Sequence, residues 1–225
     1  MCNSEFVSAL RKTIDSTSYV NKVIVPLLLE TDAQQKFLPE GMKEALSAGK
    51  YRMEDKVFHF KQDLTDGVGS GTILNITEET KKRDKGVYDF EYKLPSTSPT
   101  EVLLLGGVSF GYAKVATATD IKAIPYFDNK ASEVPTVLQN AELSLRSSSS
   151  EKFRVEIYKL LRGDEQDSGK FISDRMYPIT TALIPLIGNT NYDISLELGP
   201  TTLASVSSKK QRICISLYAL SFTKK

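Results

Sequence analysis

The chain has no tryptophan, a single histidine, His59, and only two cysteines, Cys2 and Cys214. One histidine and two cysteines at opposite ends of the sequence cannot supply the four nitrogen and sulfur ligands of a structural zinc site, so no such metal centre is expected. Cys2 lies near a terminus, where holding disulfide geometry is difficult, and both cysteines are read as free thiols. Free thiols, and a start without a cationic stretch followed by an apolar one, favour folding in a reducing cytoplasm. An excess of charge is also missing, since 29 Lys and Arg stand against 28 Asp and Glu. The whole molecule thus has no net field to draw in nucleic acid or an anionic membrane, and no specific nucleic-acid partner is expected. The longest nearly apolar runs, residues 23–29 and 102–108, fall far short of the ~20 residues of a membrane-spanning helix. No transmembrane segment is expected.

What remains is globular in character: 225 residues with 40% apolar and 25% charged side chains, enough for one sizeable domain with or without an appendage. Over residues 4–14, Phe6, Leu10 and Ile14 recur every four positions behind Ser4, which predicts a short capped amphipathic helix. A second helix is predicted where Pro39 precedes Met42, Ala45 and Leu46 and Gly49 follows as a stop. Between them Val23, Val25, Leu27 and Leu29 surround Pro26. Because proline confines strands to sheet edges, this run predicts an extended edge or an arm laid on another surface. Residues 1–50 are therefore expected to form a helical and extended N-terminal arm. Its candidate subunit-contact residues are Phe6, Leu10, Ile14, Val23, Val25, Leu27 and Leu29. The competing expectation is that the segment packs over the open end of its own sandwich.

After Lys50 the hydrophobic period changes from near four to two. Strands are predicted at 56–64, 72–79, 87–94, 101–113, 137–146, 153–161, 192–198 and 212–222, separated by turn chemistry at 66–67, 85–86, 147–150, 163–164 and 188–189. About eight strands without helical crossovers make residues 51–225 a mainly β domain: an antiparallel β-sandwich, with the jelly roll as the best fit. Residues 171–187, broken by Pro178 and Pro185, read as an edge strand or a long loop.

Several motifs resemble chemistry. Gly107-Val108-Ser109-Phe110-Gly111 fits a nucleophile elbow, but that elbow needs a following helix and a later histidine, and His59 comes earlier. Glycines bending a strand explain it better. His59 alternates with Phe58 and Phe60, so it should point away from them, toward solvent or an interface. Gly67, Gly69 and Gly71 lack the Gly-Lys-Ser/Thr of a phosphate loop and read as a hairpin end. Asp164, Glu165, Asp167 and Ser168 carry oxygen ligands without the spacing of a calcium-binding loop. Lys81, Lys82, Arg83 and Lys85 form one basic run that reads as a solvated turn. No catalytic or cofactor-binding residue is assigned, and no cofactor is expected.

The segments 179–186, 191–198, 201–206 and 213–220 form an apolar strand, a second alternating strand, a Ser/Thr/Ala-rich connection and a final alternating strand. This order resembles the closing strands of small bacteriophage virion proteins. The resemblance implies a non-enzymatic jelly-roll subunit of a capsid, vertex or tail. Such a subunit would fold in the host cytoplasm, reside in the virion, and pack against copies of itself and other virion proteins. It carries over no functional residue. The alternative is a carbohydrate-binding, lectin-like module with Tyr112, Tyr126 and Phe127 as a stacking platform for a glycan, although sugar sites of that kind favour tryptophan as well.

Overall fold

A computed structural model describes residues 20–36, 38–76, 101–117, 119, 130–147, 150–161, 177–178, 184–186, 192–206 and 208–225. A single π-helical turn, Val20–Ile24, leads into helix α1, Val25–Gln35, and α2 follows at Met42–Ser47. The strands are β1 (Tyr51–Leu64), β2 (Ile73–Asn75), β3 (Glu101–Ala116), β4 (Glu142–Ser147), β5 (Ser150–Glu156), β6 (Tyr177–Pro178), β7 (Ile184–Leu186), β8 (Tyr192–Glu197) and β9 (Lys209–Lys224). A four-residue helix, α3 (Thr136–Gln139), precedes β4.

One sheet runs β1-β9-β3-β6, with β7 also on β3, and the other runs β2-β8-β4-β5. Every pairing among the described strands is antiparallel, and four sets are nested: β1 with β9, β2 with β8, β3 with β6 and β7, β4 with β5, while β3 with β9 and β4 with β8 join them into sheets. The chain therefore behaves as one long hairpin whose tip joins β4 to β5 and whose two arms are rolled into facing sheets. That is the strand order of a jelly roll. The described strands of both sheets lie between Tyr51 and Lys224.

The facing sides meet in a single core. Phe58 and Phe60 of β1, Ile213, Ile215 and Leu217 of β9, and Val108 and Phe110 of β3 pack against Leu143 and Leu145 of β4 and Tyr192, Ile194 and Leu196 of β8. A second cluster lies on the outer side of the five-stranded sheet. There Tyr51, Val102, Leu104, Leu220 and Phe222 meet Ile24, Val25 and Leu28 from the first helical segment and Met42 and Leu46 from α2. β3 and β9 are thus covered on both faces at this end. Alternation has no purpose where both faces are dry, which is why residues 102–105 read as a continuous apolar run.

Three expectations are corrected. Residues 23–29 are helical rather than extended: Pro26 occupies the first turn of α1, where no amide hydrogen is required of it, and Val25, Leu28 and Asp32 share the buried face. Residues 137–139 lie in α3, not in a strand, and residues 157–160 form a 3-10 turn that ends β5 early. β1 begins five residues before its predicted start because Tyr51 and Met53 face the helices rather than the core. The helix predicted from Pro39 to the stop at Gly49 forms over Met42–Ser47, starting three residues after Pro39 behind Gly41, with Gly49 in the left-handed conformation just beyond it. Pro178 and Pro185 sit in the short strands flanking β3, the edge position proline demands. The predicted helix at 4–14 and strand at 87–94 lie outside the described residues.

At one end of the sandwich the loop after β1 is sewn to the loop before β9. Gly67 donates to the Leu203 carbonyl at 2.9 Å and Leu203 to that of Val68 at 2.7 Å. Gly69 bridges Thr202 so closely that a β-carbon there would lie 2.3 Å from the Thr201 carbonyl oxygen. Because the obstacle is backbone, Gly69→Ala is expected to lower stability by about 1–3 kcal/mol in chemical denaturation. An unchanged midpoint would show that the two loops can part freely.

Candidate functional site

The elbow-like motif lies within β3, with a bulge between Leu105 and Gly107, and no helix follows Ser109. Gly107, Ser109 and Gly111 share the outer side of the five-stranded sheet, while Val108 and Phe110 point into the core. The register then does something the sequence order conceals. Ser109 stands opposite Ser216 of β9, and Ser216 stands opposite His59 of β1, so three side chains far apart in sequence form one row across the sheet.

Within that row His59 Nδ1 and Ser216 Oγ are 2.8 Å apart, and Ser109 Oγ lies 3.2 Å from the Tyr218 hydroxyl. Cys214 Sγ approaches Ser216 Oγ at 3.9 Å. A histidine on a serine hydroxyl has the composition of a nucleophile–base pair, which for hydrolysis also needs a carboxylate orienting the imidazole and free donors for an oxyanion. No described carboxylate bonds His59. Ser216 lies on a strand laddered on both sides, so its neighbouring amides are committed to β1 and β3. The row as built orients His59 on the sheet. Burial pushes the Cys214 thiol up to about 11, with the Ser216 hydrogen bond and Lys61 opposing, so it is protonated at neutral pH and carries little thiolate reactivity.

His59 is exposed while Phe58 and Phe60 are buried, as alternation requires. Partial desolvation, then the Lys61 charge, lower its pKa below the usual histidine value. With the folded pKa depressed, the unfolded chain binds the extra proton first. The stability from neutral His59 is complete above the ordinary value of 6.5 and is lost as pH falls through the folded one. Replacing His59 with Gln should flatten that part of the stability–pH curve. An identical slope in both proteins would assign the acid sensitivity to other groups.

The arm residues separate. Val25 is buried within its own molecule, Leu29 is half-buried and Leu27 is 40% exposed. Phe6, Leu10, Ile14 and the Val23 side chain lie outside the described residues. A cleft of about 480 Å³ opens between α1 and α2, lined by Val25, Pro26, Leu29, Leu46 and Gly49. Tyr112 is withdrawn from the glycan platform: it is 2% exposed and donates its hydroxyl proton to Gln211. Tyr126 and Phe127, the acidic cluster at 164–168 and the basic run at 81–85 lie outside the described residues. Gly67 and Gly71 take left-handed turn conformations, and Gly69 is packed against backbone. Among the described residues no group of three or more His, Cys, Asp or Glu is placed to hold a metal, and no helix is long and apolar enough to cross a membrane.

Sequence reading missed the outer side of the four-stranded sheet. There the Arg154 guanidinium bonds Glu142 and Glu151 and lies 3.6 Å from Glu197. Glu142 faces Glu156 on one neighbouring strand and Glu197 on the other. Like charges in direct opposition repel, and Arg154 offsets that at the centre of the group. The Arg154 bond holds the Glu151 carboxyl below its usual range. The alternating charges of 151–156 and 193–197 were the available signal, but which rung faced which depended on register.

No family model matches the chain, and no curated protein is significantly similar to it. Among solved structures, a chain of the cyanophage Pam1 capsid asymmetric unit is similar with a TM-score of 0.30 and 11% identity, over 74% of this chain and 85% of that one. A likeness at that score carries no argument about this chain.

Proposed function

We propose that this chain is a non-enzymatic structural subunit that works by packing against other protein subunits. A bacteriophage particle is the assembly implied by the resemblance of its closing strands. The observation that carries the reading is the nested pairing of the two sheets, the jelly-roll order found in virus coat subunits and in lectins. Burial of Tyr112, which takes away one member of the sugar platform, favours the first of these uses over the second. The role of His59 and Ser216 in this reading is to brace the sheet rather than to catalyse.

The test is mass spectrometry of purified particles, followed by reconstruction of the particle at a resolution that traces β1 and β9. Finding the chain at stoichiometric copy number is the expected result. Its absence from particles, together with specific retention on a glycan array, would replace this reading with the lectin one.

A further inference from the structure

The four-stranded sheet ends at β5. This strand pairs with β4 on one side, and among the described residues no backbone hydrogen bond to its other side is present. Phe58 and Phe60 of β1 differ, since they have further interactions beyond the β9 ladder. β5 contains neither proline nor glycine; its one irregularity is a register shift on β4 that leaves Lys152 as the extra residue, and the run from Lys152 to Glu156 beyond it is open to another strand. From this free edge we infer that β5 is a contact between two copies of this chain, joined antiparallel about a two-fold axis normal to the sheet.

The charges on β5 select the register. A two-fold axis keeps core-facing and solvent-facing sides aligned only when it passes through one residue. Centred on Phe153, it sets Lys152 against Arg154 of the other copy twice, a repulsive arrangement. Centred on Val155, it runs past the strand end at Glu156 and overlaps only three residues. Centred on Arg154, it sets Lys152 opposite Glu156 twice and Phe153 opposite Val155 twice. The one like pair is then Arg154 with its copy, and each guanidinium is already bonded to Glu142 and Glu151. Lys152 is exposed and makes no ion pair within its own described residues, so the partner's Glu156 would be its first. Val155 is buried and Phe153 half-buried, which carries the core across the axis. The product is a continuous eight-stranded sheet, self-complementary in one register and repelled in its neighbour.

This contact belongs to the free chain and does not depend on which assembly the chain enters. Sedimentation of the full chain over a wide concentration range is expected to show a monomer–dimer equilibrium. Lys152→Glu and Glu156→Lys should each weaken it about tenfold, since each swap turns two facing attractions into repulsions. The double variant should restore it. Should Glu156→Lys melt early through loss of its Lys159 pair, 2.9 Å in the native chain, Lys152→Glu alone decides, because it removes no partner within the chain. A chain that stays monomeric at its highest soluble concentration overturns the inference. So does a dimer indifferent to Lys152→Glu, or a well-folded double variant that fails to recover. A chain abundant in particles yet monomeric when purified would reject the β5 contact and leave the assembly reading standing.

Discussion

Deleting residues 1–30 is expected to lower the melting temperature sharply, or to leave the chain unable to fold, whatever it does to association. Ile24, Val25 and Leu28 are 2%, 5% and 2% exposed, and all three sit on Val102, Leu104, Leu220 and Phe222 of the five-stranded sheet. Each such side chain contributes ~1.5–3 kcal/mol of burial. Their loss also uncovers the sheet side chains beneath them. Even with incomplete additivity, the total is a large share of the roughly 5–15 kcal/mol that separates folded from unfolded domains. Thermal melts and sedimentation of the full and shortened chains make the comparison. An unchanged melt with altered association would mean that the segment grips a neighbour and contributes nothing to its own core. A milder variant, Leu28→Ala, should cost about 2–5 kcal/mol by the same mechanism without removing the segment.

Phe60→Ala is expected to cost about 3–5 kcal/mol, the cavity penalty of a large aromatic lost from a packed interior. The ring is 1% exposed and lies between the sheets with Ile215 beside it in register. One position away, His59→Gln should cost under about 1 kcal/mol at neutral pH, because it removes at most one hydrogen bond to Ser216 on a solvent-facing side chain. Denaturant titrations of the two variants therefore test the assignment of β1's faces in one experiment. Comparable losses at both positions would mean that the outer side of β1 is as tightly packed as the core. A reversed order would place the register of β1 on β9 one residue out, since a single-residue slip exchanges every side chain between faces.

The sandwich was legible in the sequence because strands covered on one face must alternate. Tyr192, Ile194 and Leu196, and likewise Ile213, Ile215 and Leu217, occupy the core as their period requires. The helix at 42–47, bracketed by Pro39 and Gly49, was legible for a local reason: its start and stop are set by backbone conformations that only certain residues take easily. Residues 23–29 were not, because proline fits both a sheet edge and the first turn of a helix, and only the apolar surface of β3 and β9 favours the second. The row of Ser109, Ser216 and His59 and the shared guanidinium of Arg154 were equally hidden. Both depend on which strands lie side by side and in what register, and in the row that choice joins residues 107 and 157 positions apart in sequence. The sequence by itself determined the alternating strands with their buried faces and the helix ahead of Gly49, which follow from the chemistry of neighbours along the chain. The nested order of the strands, the covering of one sheet by α1 and α2, and the free edge at β5 were decided by the tertiary structure alone, because pairing free energy depends on partners that the linear pattern does not name.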